Sequence, residues 1–86
     1  MDILYIMYIE VEMSVTGQIH IITLCDGKRK VYRAKNFNAA VGVIVSLAQS
    51  YDVYLDTNGL GAGAASAMSR FNIPFRELKH EVSVGV

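Results

Sequence analysis

The 86 residues contain one cysteine, one proline and no tryptophan, and the formal net charge is zero. Each scarcity excludes something. A lone Cys25 cannot close an internal disulfide, and with only two separated histidines, His20 and His80, it lacks the ligand spacing of a structural zinc site. A reducing, cytoplasmic setting fits this usage. The single proline, Pro74, leaves no proline-rich linker. Charge balance argues against a strong non-specific nucleic-acid binder and equally against an acidic DNA mimic. No apolar run is long enough to cross a bilayer. The opening MDILYIMYI has an acid where a secretory signal needs a positive charge, so neither a membrane segment nor an export signal is expected.

What is present is apolar: 52% of the residues are hydrophobic and 19% charged, far from the composition of a disordered chain. One domain spanning residues 1–86 is expected. At this size a single core is barely sufficient, which makes a homodimer an option. The charges are unevenly placed. The first 27 residues carry Asp2, Glu10, Glu12 and Asp26 with no Lys or Arg, whereas Lys28, Arg29, Lys30, Arg33 and Lys35 place five of the eight cations within eight residues.

Alternation and turn residues divide the chain into elements. Residues 3–13 read as a long central strand, buried on both faces over its first part. Period two sends Leu4, Ile6, Tyr8, Glu10 and Glu12 to one side, and Ile3, Tyr5, Met7, Ile9, Val11 and Met13 to the other. SVTGQ supplies turn residues, QIHIITLC a second strand, and DGK a hairpin signal into a third strand, RKVYRAK. NFNAAVGVIVSLAQSY reads as a helix capped by Asn36 or Asn38, with Ala40, Val41, Ile44, Leu47, Ala48 and Tyr51 on one face. DVYLDT follows as a short buried strand, GLGAGAASAMSRF as a small-residue helix, and IPFRELK as a last strand with Pro74 near its beginning. Ile6, Ile21, Val53, Leu55 and Met68 are the expected core.

This order of strand, strand, strand, helix, strand, helix, strand resembles the ribonuclease H-like fold. The segment VYLDTNGLGAGAASAMSRFNIPFRELK is similar in wording to the nuclease domain of phage terminase large subunits. The resemblance implies a minimal α/β fold with a three-stranded antiparallel meander followed by helix-strand-helix-strand. It also implies metal-binding carboxylates on the first and fourth strands, where Glu10 and Asp56 match and Glu12 shares Glu10's face. The family's third carboxylate, on a later helix or strand, has no counterpart. Two-metal phosphodiester hydrolysis needs carboxylates that hold two cations roughly 3.5–4 Å apart. With two acids, a weakly held Mg²⁺ is the most that is expected, and no other cofactor.

Three groups carry the functional expectations. In DTNGLGAG, the backbone around Thr57, Asn58, Gly59, Gly61 and Gly63 either forms a phosphate-binding turn at a helix N-terminus or lets a helix lie close on the sheet, the glycines supplying positive φ. The spacing is neither a Walker loop nor a dinucleotide fingerprint. Lys28, Arg29, Lys30, Arg33 and Lys35, with Tyr32 as a stacking platform, form an interaction arm for phosphates or an acidic partner, or else guard a sheet edge. His20 reads as a partly buried, hydrogen-bonded core residue and Cys25 as a small hydrophobe. Together with the resemblance these imply a phage-type, catalytically incomplete protein in the host cytoplasm. It would act as a binding or inhibitory module toward a host or phage protein, a nucleotide or a nucleic acid. The alternative is a metal-dependent nuclease completed by a second protomer or a larger subunit.

Overall fold

A computed structural model describes residues 4–78, so expectations for Ile3, Lys79 and His80 lie outside the described residues. The elements follow in the order β1 (Ile6–Met13), β2 (Ile19–Cys25), β3 (Lys28–Ala34), α1 (Phe37–Ser50), β4 (Asp52–Asp56), α2 (Leu60–Arg70) and β5 (Arg76–Leu78). They form a small mixed α/β unit with one five-stranded sheet in the order β3-β2-β1-β4-β5. β1 pairs antiparallel with β2, and β2 with β3, while β4 runs parallel to both β1 and β5.

Local chemistry explains where the elements stop. Between β2 and β3 the two-residue loop Asp26-Gly27 has φ of 52° and 74°. This is the left-handed pair that a type I′ hairpin turn requires, and residues of this kind adopt it most readily. The turn brings Cys25 opposite Lys28 and thereby sets the whole β2–β3 register. The helix α1 starts where the Asn36 side-chain Oδ1 accepts a 2.8 Å hydrogen bond from the Ala39 amide, so Asn36 is the cap and Asn38 lies inside the helix. α2 is closed off just past the Phe71 cap by Asn72, whose φ of 56° lets the Ile73 amide reach the Met68 carbonyl at 2.9 Å and its own amide reach that of Ser69 at 3.2 Å. These two bonds are the paired closure of a Schellman motif.

Both helices cover the same side of the sheet. Met7, Ile9 and Val11 of β1, Ile19 and Ile21 of β2, Ala34 of β3, and Val53 and Leu55 of β4 form one buried cluster with Ala40, Ile44 and Ala48 of α1 and Ala64, Ala65 and Met68 of α2. Thr23, also buried, offsets its polarity by donating a 3.2 Å hydrogen bond to the Lys30 carbonyl. Among the described residues, nothing covers the opposite face.

Several expectations are corrected by this arrangement. β1 is buried on one face rather than two, with Ile6 45% and Tyr8 41% exposed, so Ile6 is not part of the core although Ile21, Val53, Leu55 and Met68 are. His20 alternates onto the open face beside Ile22 and Leu24, half-buried, instead of entering the core. Within the described residues the last strand begins at Arg76 rather than Ile73, and Pro74 lies in the connection before it. Of the three glycines near the start of α2, only Gly59 has positive φ, at 56°.

A candidate binding cleft at the hairpin end of the sheet

Because side chains alternate along a strand, β3 divides the basic arm between two faces. The β2–β3 register pairs Lys28, Lys30 and Tyr32 with Cys25, Thr23 and Ile21 on the helix side, and Arg29, Val31 and Arg33 with Leu24, Ile22 and His20 on the open side. The single interaction arm expected from sequence is therefore two separate surfaces. Lys35 lies beyond the end of β3 and belongs to neither register set.

On the helix side, α1 gives way to Tyr51 before the helix layer reaches the hairpin. A cleft of about 460 Å³ remains, lined by Tyr5, Met7, Thr23, Cys25, Asp26, Lys28, Arg29, Lys30, Tyr32 and Tyr51. Met7 and Thr23 are buried. Tyr5 is held at the mouth of β1 by its carbonyl, which accepts a 2.8 Å hydrogen bond from the Asp52 amide. Tyr51 caps α1, its amide donating to the Leu47 carbonyl at 2.9 Å. The Lys30 ammonium lies 5.9 Å from the centre of the Tyr32 ring, at the outer limit of a cation–π contact. Lys28 and Lys30 face the cleft from the helix side, while Arg29 borders it from the open-side register, so against the single acid Asp26 the helix side keeps one surplus positive charge. Three phenol rings, a cationic rim and a volume within the range of small-ligand sites suit a ligand that is both aromatic and anionic. Tyr5 and Tyr51 were missed as site residues. They come from different elements, and no local motif ties them to Tyr32.

The glycine loop has a different structure from a free anion nest. Gly59 precedes the first turn of α2 without a side-chain cap. The Gly61 amide is bonded to the Asn58 carbonyl at 3.0 Å and that of Ala62 to the Gly59 carbonyl at 3.1 Å, while the Asn58 amide donates to Asp56 Oδ1 at 3.0 Å. Three of the loop's donors are thus engaged internally, and a carboxylate already sits against the turn. A Cβ added at Gly61 would overlap the Asp56 backbone carbonyl oxygen and lie 2.9 Å from its carbon, and one added at Gly63 would lie 3.0 Å from Cζ of Phe37. Both glycines serve close approach: Gly61 to the end of β4 and Gly63 to α1. Thr57, Asn58 and Gly59 form the connection that makes this approach geometrically feasible.

Glu10 and Asp56 lie on neighbouring parallel strands. The register matches Ile9 with Leu55, so its continuation by one residue sets the two acids side by side on the open face, with Glu12 two residues along on the same face. Asp56 Oδ1 already accepts the Asn58 amide. No group of three or more potential metal ligands gathers among the described residues. Among the described residues the carboxylates on this face, Glu10, Glu12 and Asp56, fall short of the set converging on two cations that a two-ion centre needs. No helix among those residues is long and apolar enough to cross a membrane.

Comparison with known proteins adds no relative: no family model, no curated protein and no solved structure matches this chain.

Proposed function

We propose that this chain is a catalytically incomplete binding module of ribonuclease H-like architecture that holds one nucleotide unit of a single-stranded nucleic acid in the hairpin cleft. The observation that carries the reading is the convergence of Tyr5, Tyr32 and Tyr51 with Lys28 and Lys30 around a cavity of about 460 Å³. A base stacks on the phenol rings, and the flanking phosphates lie against the cationic rim. The reading of the architecture rests on the order of elements along the chain, which resembles that fold, and is supported by Glu10 and Asp56, the two acids the resemblance matches, lying on neighbouring strands. In a phage or other mobile element, the setting to which that resemblance points, sequestering a strand would serve regulation or defence against the host.

The zero net charge keeps the electrostatic contribution local. With two or three phosphates contacted, the logarithm of affinity should fall with the logarithm of salt at a slope of about −1.4 to −2.1. The test is fluorescence anisotropy with labelled oligo-dT and oligo-U, competed by the free mononucleotide. Binding is expected to weaken at least about tenfold in Lys28→Glu/Lys30→Glu, and several-fold in Tyr32→Ala, with the fold intact by circular dichroism. Stronger competition by the oligomer than by the mononucleotide identifies the strand as the ligand. Undetectable binding, or binding unchanged by the lysine reversal, refutes the assignment.

A further inference from the structure

The open face of the sheet carries a second pattern, independent of the cleft. Leu24 and Val31 are 44% and 39% exposed there, next to Ile6 and Tyr8, so an apolar patch runs across three adjacent strands. Such a patch on a small chain marks an interaction surface. Its flanks are oppositely charged. β3 presents Arg29 and Arg33, β1 presents Glu10 and Glu12, and the strand between them, β2, presents only His20, Ile22 and Leu24. In register, Arg33 and Glu12 flank His20 on either side. Two strand spacings, about 9.6 Å, separate them within one chain.

We propose that this face pairs with a second copy of the same chain in a two-fold, face-to-face dimer. A two-fold axis lying between the sheets and parallel to β2 exchanges β3 of one copy with β1 of the other. Arg33 of each chain then faces Glu12 of its mate, Val31 faces Glu10, Arg29 faces Tyr8, and the Ile22–Leu24 stripes meet at the axis. An isologous contact has to be self-complementary, and Arg33 and Glu12, equidistant from His20 on the central strand, satisfy that condition with two identical ion pairs per dimer. An unrelated partner would not require both signs on one face at matched spacing. Sheets stacked face to face sit about 10 Å apart. Only three strands overlap, which places the contact at the small end of specific interfaces, so the dimer is expected to be reversible.

Leu24, Arg33 and Glu12 do not line the cleft, although Arg29 borders both surfaces, so the two assignments can fail separately. Sedimentation velocity from low-micromolar to near-millimolar protein should show the mass rise from 9.5 kDa toward twice that value. Leu24→Lys should hold the chain monomeric without changing its melting temperature. Arg33→Glu and Glu12→Arg should each weaken association about tenfold, and the double variant should recover most of it, because the swapped charges meet again only between chains. A monomer at every concentration overturns the proposal. So does a dimer that survives Leu24→Lys, or a double variant no better than either single one. Loss of monomer stability in Leu24→Lys also overturns it, since that result would assign the face to a cover from within the chain.

Discussion

Placing the same substitution, glycine to alanine, in each helix should give effects of opposite sign. Gly42 is an exposed position in the middle of α1, and a Cβ built there meets nothing within 4 Å. Alanine at that site lowers the entropy lost on folding without any steric cost, which stabilises the chain by about 0.5–1 kcal/mol. Gly61, in the first turn of α2, gains the same propensity benefit but drives its new methyl into the Asp56 carbonyl group. A flexible side chain could rotate away; a backbone carbonyl at the end of a strand cannot. Relief requires α2 to rise from the sheet, which would loosen Ala64, Ala65 and Met68 from the core. Overpacking of this kind costs about 3 kcal/mol at the upper end of its usual range, so a net loss of about 2 kcal/mol remains after the propensity gain. For a domain of this size that is a fall in Tm of about 8–16 °C, against a rise of about 2–8 °C for Gly42→Ala. Urea titrations followed by far-ultraviolet circular dichroism measure both. The reasoning about close approach is refuted if Gly61→Ala is neutral or stabilising.

Four further outcomes follow from particular contacts. Asn36→Ala removes the bond to the Ala39 amide and should cost about 1 kcal/mol, read from the same titration; Asn38→Ala should leave the transition in place. Leu55→Ala, at a fully buried site, should cost about 2–5 kcal/mol, and a loss below about 0.5 kcal/mol would contradict the position of β4 in the sheet. Arg76→Ala breaks a 3.7 Å contact with Asp52 and a stacking over Tyr54, but the arginine is largely exposed, so stability should change by less than about 1 kcal/mol and salt should not enlarge the effect. With Mg²⁺ or Mn²⁺, plasmid DNA should remain intact during prolonged incubation; cleavage that disappears in Asp56→Asn would restore the reading of Glu10 and Asp56 as part of a metal centre.

Local chemistry by itself determined much of the secondary structure. Period-two alternation, the Asp26-Gly27 turn and the helical spacing of Ala40, Ile44 and Ala48 need only neighbouring residues, because dihedral preferences and face periodicity act over a few positions. The division of the basic arm was equally legible in that alternation, although five clustered cations invite reading them as one patch. What tertiary structure alone decided is which apolar face is buried. Ile6 is as hydrophobic as Ile9, and only the placement of α1 and α2 on one side of the sheet makes the first surface and the second core. The role of Gly61 depends likewise on the distance between α2 and the end of β4, and the cleft depends on three tyrosines drawn from β3 and from the segments flanking β1 and α1. Burial and concavity are properties of packed elements, so no stretch of sequence contains them.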